Sequence, residues 1–263
     1  MDHANLSPVL LREDRAGVAW LTMNRPAQRN ALSMGLMAAM QAELDAIAAD
    51  PAVRVVVLGG AGPAFCAGHD LREVRANSDR AFYEGLFAAC SRLMLSITRL
   101  PQPVIARVHG VATAAGCQLV ATCDLAVAAD SAHFATPGVN IGLFCSTPMV
   151  ALTRAVGRKA AMEFLLTGDL VPAAEARALG LVNRVVADAA LDDDVAALAG
   201  QIAAKSPLTV KIGKEAFYHQ ADMNLESAYA YASEVMTRNM LARDAEEGID
   251  AFLQKRPPVW SGS

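Results

Sequence analysis

Two hydrophobic periods divide most of the chain: short, dense apolar runs, and longer stretches in which apolar residues recur every three or four positions. Residues 9–12 and 18–23 flank the turn-like Asp14-Arg15-Ala16-Gly17 and predict a β-hairpin. Ser33 then caps a helix running to about Asp50, with Leu36, Met40, Leu44 and Ile47 at near-helical spacing. The β-branched run 53–58 predicts a buried strand that empties into Gly59-Gly60-Ala61-Gly62-Pro63. A helix over 80–98, a strand over 103–108, a short helix over 119–123 and a strand over 124–129 follow. Strands separated by helical patterns at this spacing indicate an α/β domain.

After Gly142 the pattern turns mostly helical, over 147–156, 158–166, 172–179 and 188–204, with 182–186 as the one strand. Ser206-Pro207 starts a further helix to His219, and two more cover 225–240 and 243–254. The chain therefore divides into a core of residues 1–200 and a C-terminal helical extension of residues 201–263. Residues 131–153 carry no charge and are long enough to span a bilayer, but Pro137, Gly138, Asn140, Gly142 and Pro148 would break such a helix. This segment reads as buried irregular chain, and no membrane span is expected.

With 263 residues, 54% of them hydrophobic, the chain can bury a sizeable core. Its 23 Lys plus Arg against 27 Asp plus Glu leave a net charge of -4, which argues against a nucleic-acid binder. The five cysteines (66, 90, 117, 123, 145) include no C-x-x-C pair, so neither a disulfide framework nor a cysteine zinc site is indicated. The histidines at 3, 69, 109, 133 and 219 show no metal-ligand spacing, and no metal is expected. The N-terminus lacks a basic n-region and an apolar h-region, and its acidic residues fit poorly with a transit peptide, so a cytoplasmic location is expected.

Candidate chemistry sits on two small-residue loops that each leave a strand. Gly60-Ala61-Gly62 lacks the third glycine of a dinucleotide fingerprint, since Phe65 stands in its place. The segment 65–71, with Ala67, Gly68, His69, Asp70 and Leu71, lets backbone amides approach a ligand unobstructed. The segment 110–118, with Ala115, Gly116 and Gln118, repeats the design about 45 residues later. Two N–H groups converging from such loops would make an oxyanion hole, because free amides at a helix start favour developing negative charge. No G-x-S-x-G nucleophile motif is present.

These residues resemble the crotonase (enoyl-CoA hydratase/isomerase) superfamily over nearly the whole chain, from Asn24-Arg25-Pro26 and Asn30-Ala31-Leu32 to residues 252–256. The specific signals are FCAGHDL at 65–71, GVATAAGCQLVATCDLAVA at 110–128, FATPGVNIGLF at 134–144 and LTRAVGRKAAMEFLLTG at 152–168. The combination of TAAGCQL, FATPGVN and GLFCSTP looks most like the subgroup called enoyl-CoA hydratase domain-containing protein 3. The resemblance implies an α/β fold, a crotonase-like spiral of ββα units with a C-terminal helical region that forms a homotrimer or a dimer of trimers. It also implies no permanently bound cofactor, a coenzyme A thioester as substrate or ligand, and lyase or isomerase chemistry of the kind used in fatty acid metabolism. By motif position the oxyanion donors are the backbone N–H groups of His69 and Ala115, and a thioester enolate is what such a hole stabilises.

The sequence departs from the family where the reaction is decided. Hydratases of the family carry glutamates at the positions of Gln118 and of Gly138, which follows Pro137, and neither Gln nor Gly can exchange protons usefully near pH 7. Hydration is therefore expected to be weak or absent, and the paired change Gln118→Glu with Gly138→Glu is expected to raise it. The side chain of His69 is a candidate acid/base, and Cys145 a candidate nucleophile or base, set against a solvent-facing imidazole and a small buried hydrophobe. Asp70 is read as fixing its loop through backbone hydrogen bonds. For the CoA body, the resemblance points to Gln28 and Arg29 and, on the last helix, to Phe252 and Lys255, in some members from a neighbouring subunit. An acyl-CoA binder or assembly component without catalysis is the alternative reading.

Overall fold

The chain opens with a hairpin whose two-residue turn, Ala16 and Gly17, has φ of 51° and 75°, the primed geometry that matches the twist of paired strands. The hairpin joins β1 (Leu10–Arg15) to β2 (Val18–Met23), so β1 runs through the acidic turn anticipated at Asp14. The computed structural model describes residues 7–263, and His3 and the first part of the N-terminal segment lie outside the described residues.

β3 (Val55–Gly60), β4 (Val104–Val108), β6 (Leu125–Ala129) and β9 (Arg184–Val186) extend β2 in parallel, giving a six-stranded sheet of order β1-β2-β3-β4-β6-β9. β3 is buried along its whole length because both faces are covered, as a central parallel strand requires. Its alternate residues separate the layers. Val56 and Leu58 join the main core with α1 (Met34–Ala48) and α3 (Arg80–Arg99), whereas Val55 and Val57 meet Leu191, Val195 and Ala199 of α8 (Leu191–Ala203).

A second, small sheet stands beside the first: β5 (Val111–Thr113) pairs in parallel with β7 (His133–Ala135), and β7 pairs with the two residues of β8 (Val171–Pro172). Between them lie α2 (Leu71–Ala76), α4 (Ala115–Thr122), α5 (Ser146–Ala155), α6 (Arg158–Thr167) and α7 (Ala173–Ala178). The uncharged stretch anticipated as buried irregular chain is thus largely ordered, as β7, a 3-10 turn over Pro137–Ile141 and α5. Nor is it uniformly buried, since Ile141, Leu143 and Phe144 are exposed. No helix of the described residues is long and apolar enough to cross a membrane.

Three helices close the chain: α9 (Pro207–Gln220), α10 (Leu225–Met240) and α11 (Arg243–Gln254). α9 is tied to the α/β layers by Lys214, buried, whose ammonium donates to the carbonyls of Ile97 and Gln102 at 2.9 Å and to Asp124 at 2.6 Å. Tyr218 donates to the other oxygen of Asp124 at 2.8 Å, so one carboxylate joins α9 to the start of β6. Asp244, also buried, accepts from Ser206 Oγ, from the Ser261 amide and hydroxyl, and from the Gly262 amide. That carboxylate pins the C-terminal tail against the start of α9.

Candidate active site

Two isolated parallel bridges, Leu32 with His69 and Cys66 with Ala112, bring three separate segments together at the ends of the central strands. In the first, the Leu32 amide donates to the Gly68 carbonyl at 2.7 Å and the Asp70 amide donates to the Leu32 carbonyl at 3.1 Å. The N–H of His69, lying between them, has no hydrogen-bond partner among the described residues. In the second, Cys66 and Val111, and then Thr113 and Cys66, are hydrogen-bonded, which aligns the strand exit at 66–70 with the start of α4.

α4 begins at Ala115, whose N–H likewise has no partner among the described residues, as the first amides of a helix lack one unless capped. The residue before it, Ala114, has φ 50° and ψ -118°, a conformation that L residues avoid. Gly68, at φ +95°, is packed against this turn: a Cβ there would lie 2.9 Å from Ala114 Cβ and 3.4 Å from Ala115 N. A Cβ on Gly116 would lie 2.1 Å from the Cys66 carbonyl. The smallness of these residues is therefore what lets the two loops meet, with Gly68 packed against the turn into α4.

The loop is held by its charged members. Asp70 caps α2 by accepting from the amides of Arg72 and Glu73, and it accepts from Arg25 Nη2 at 2.8 Å. Burial works against the charged carboxylate, but the Arg25 hydrogen bond and the α2 amides outweigh it and hold Asp70 below the usual carboxylate range. Arg25 also donates to the Ala31 carbonyl at 2.5 Å. Asn30, fully buried, donates to the carbonyls of Ala61 and Ala64 and accepts from the Arg25 amide. The Ala67 amide donates to the Arg29 carbonyl at 3.0 Å, which seats the exposed Gln28-Arg29 turn directly on the loop. Leu71 is exposed at the start of α2. Neither Arg25 nor Asn30 stood out as a site residue in the sequence, where only their membership of the Asn24-Arg25-Pro26 and Asn30-Ala31-Leu32 motifs marked them.

Gln118 is buried one turn into α4, with Oε1 accepting from Cys90 Sγ of α3 at 3.8 Å. It also lines a cavity of about 830 Å³ that opens between α3, α4, α5 and α9 and is edged by Met94, Arg154, Lys211 and Tyr218. His69, Ala115, Gly138 and Cys145 do not line that space. The cavity thus begins one helical turn past the amide of Ala115.

Gly138 has no space for a side chain. A Cβ would meet the Leu143 carbonyl at 2.5 Å and Cys145 Sγ at 2.9 Å, because the Leu143 amide folds back to donate to the Gly138 carbonyl. This corrects the expectation that glutamate at 138 together with 118 would build a water site: the second carboxylate could enter only by displacing backbone. Burial pushes the Cys145 thiol up, with contact to the Gly138 backbone opposing it, so the group is a protonated thiol at neutral pH and a poor nucleophile. Phe252 and Lys255 sit exposed at the end of α11, and no hydrogen bond ties them to the two loops. Among the described residues no group of three His, Cys, Asp or Glu is arranged to hold a metal.

Comparison with known proteins decides the family. The family model described as enoyl-CoA hydratase/isomerase matches residues 13–263. The chain belongs to the enoyl-CoA hydratase/isomerase family. Within that family it is 46% identical to human enoyl-CoA hydratase domain-containing protein 3, mitochondrial, over 93% of this chain and 81% of that one. The corresponding Xenopus laevis protein is 44% identical over 99% of this chain and 89% of that one. Among solved structures, an enoyl-CoA hydratase of Mycobacterium smegmatis is 57% identical with a TM-score of 0.94, covering 96% of this chain and 99% of that one. The crotonase-like α/β fold with a helical C-terminal region is thereby established. The names of the vertebrate relatives overturn the cytoplasmic expectation, since they are mitochondrial proteins. A leader is recognised by composition rather than by packing, and the pattern of the N-terminal residues was too weak a signal to carry a compartment.

Proposed function

We propose that this enoyl-CoA hydratase/isomerase family member binds an acyl-CoA and polarises its thioester carbonyl between the backbone N–H groups of His69 and Ala115, stabilising an enolate. The observation that carries this reading is that each of two small-residue loops, packed together at Gly68 and Ala114, carries an amide without a hydrogen-bond partner among the described residues. Preorganised donors of this kind act where charge develops and need no reorganisation during reaction. The Gln28-Arg29 turn, bonded to the loop through Ala67, gives the CoA body a place beside the thioester.

Efficient addition of water is not part of the proposed activity. Gln118 is a carboxamide held by Cys90, and Gly138 is walled in by Leu143 and Cys145, so no carboxylate pair addresses a water molecule. The same two facts favour the second reading, an acyl-CoA clamp without turnover. Carbonyl-labelled butyryl-CoA separates these readings from a chain that does not bind thioesters at all: a downfield shift of the bound ¹³C carbonyl is expected in either, and an unshifted signal contradicts both. Crotonyl-CoA hydration at the rate of an ordinary hydratase would contradict the proposal that water addition is lost.

We also propose self-association as a homotrimer or a dimer of trimers. Leu225, Tyr229 and Met236 of α10 are exposed in the single chain, while Val235 packs within it, so most of that apolar surface has no cover of its own. In such an assembly the exposed Phe252 and Lys255 are free to approach a CoA held by a neighbouring copy.

A further inference from the structure

The three C-terminal helices stand outside the hydrophobic core. Along the chain both of its layers end by Ala203, and among the described residues no later side chain joins either. The one buried side chain of α9 is the charged Lys214, and that of α10 is Val235, while α11 buries Asp244 and Ala251. Helices in proteins are ordinarily held by an apolar face packed on a neighbour. In α9 the position that is buried carries an ammonium instead.

The helices are nonetheless bound to one another. Asp244 of α11 accepts from Ser206 at the start of α9 and from Ser261 and Gly262 of the tail. His219 of α9 meets Tyr231 of α10 with 4.7 Å between ring centroids.

Their hold on the rest of the chain is narrower. Among the described residues, every hydrogen bond from residues 207–263 to residues before 204 runs through Lys214 or Tyr218. Lys214 donates to the carbonyls of Ile97 and Gln102 and to Asp124, and Tyr218 donates to Asp124. Two further bonds, from Arg54 to the Lys205 carbonyl and from the Trp260 indole to the Ala204 carbonyl, fall on the link between α8 and α9. They fix the link and leave α9 to the buried cluster. Burial disfavours the Lys214 ammonium more than Asp124 favours it, which lowers its pKa from the ordinary 10.5. Desolvation thus offsets much of the attraction in this pair, which holds the helix less firmly than apolar packing would.

Beside the cluster lies the cavity of about 830 Å³. Lys211, Glu215 and Tyr218, on one face of α9, line one side of it, and the buried Met94, Val120 and Leu181 line the other. A polar helix face opposite an apolar wall leaves the space between them unfilled.

We propose that α9, α10 and α11 form a lid, hinged at residues 204–206 and latched by the Lys214–Asp124–Tyr218 cluster, that opens as one unit and uncovers this cavity while the α/β core stays folded. Local opening of this kind is expected where few apolar contacts cross a boundary.

The test is native-state hydrogen exchange of the full chain at increasing, sub-denaturing urea, read by mass spectrometry. In the unmodified protein, peptides from α9, α10 and α11 should open together at lower urea than peptides from β3 and β4. Tyr218→Phe, which removes one bond to a buried carboxylate, should speed exchange in the three helices by at least about 10-fold and leave β3 and β4 unchanged. Lys214→Met should speed it by about 10²-fold or more. Alkylation of Cys123, which lines the cavity, should accelerate in Tyr218→Phe in step with the helices. Exchange of the three helices only together with β3 and β4 in the unmodified protein overturns the proposal, as does a Tyr218→Phe variant that speeds both regions alike or neither. Faster helix exchange with no change at Cys123 overturns the uncovering of the cavity and with it the lid.

Discussion

Arg25 and Asp70, 45 residues apart in sequence, form a largely buried ion pair at 2.8 Å that joins the turn before α1 to the loop carrying the free His69 amide. The carboxylate meets the Nη2 of Arg25 and two α2 amides, while Nη1 of the same guanidinium holds the Ala31 carbonyl. Removing Arg25 takes away the cation beside a largely buried carboxylate and leaves it only the two α2 amides. Arg25→Ala should therefore lose on the order of 3 kcal/mol of stability and weaken thioester binding together, read by urea unfolding and calorimetry. Stability lost with no change in binding would show that the pair supports the fold but not the site.

Ala114 stores strain at the turn into α4. At φ 50° and ψ -118° a glycine is the unstrained residue, so Ala114→Gly should raise stability by up to about 1 kcal/mol after the added flexibility of the unfolded chain is set against the relief. Gly68→Ala should do the reverse, because its new methyl would meet Ala114 Cβ at 2.9 Å in a left-handed conformation. Thermal unfolding of the two variants, expected to move in opposite directions, checks this. The same backbone makes Ala115→Pro a poor probe of the donor, since the residue before a proline is driven to extended conformations.

Much of the fold was legible because its signals are local. The hairpin turn, the Ser33 cap on α1 and the helices from α8 onward follow from periodicity and capping residues a few positions apart. β5, β7 and β8 were not legible, being two or three residues long and defined only by pairing with distant segments. α2 buries no side chain, so it leaves no apolar stripe to read. The two loops could be picked out by their small residues, yet the crowding at Gly138 depends on Leu143 folding back over it, and the Arg25–Asp70 pair on a contact that no spacing announces.

Restoring carboxylates should fail for a steric reason. Gly138→Glu, alone or with Gln118→Glu, must displace the Leu143 carbonyl and Cys145, and is expected to cost about 1–3 kcal/mol without a gain in crotonyl-CoA hydration. Gln118→Glu alone keeps its volume and should fold, while burying a carboxylate beside Cys90. A folded double variant that hydrates crotonyl-CoA well would show that the 137–145 segment yields more readily than its packing implies.

Acid should release the C-terminal tail through Asp244. Burial opposes its charge, but hydrogen bonds from Ser206, Ser261 and Gly262 prevail and lower its pKa from the ordinary 3.8. A carboxyl lowered on folding contributes stability that is fully present above its unfolded value and is lost as pH falls through its folded value. Asp244→Asn should thus cost about 1–3 kcal/mol at pH 7 and show a shallower loss of stability below about pH 4 than the unmodified protein. Parallel acid limbs in the two proteins would exclude Asp244 as the titrating group.

The central claim is tested most directly by a crystal structure of the protein with a bound CoA thioester. The carbonyl oxygen should lie within about 2.7–3.2 Å of both His69 N and Ala115 N, with the acyl chain entering between α3 and α4. A well-ordered thioester whose carbonyl oxygen meets neither amide would contradict the account.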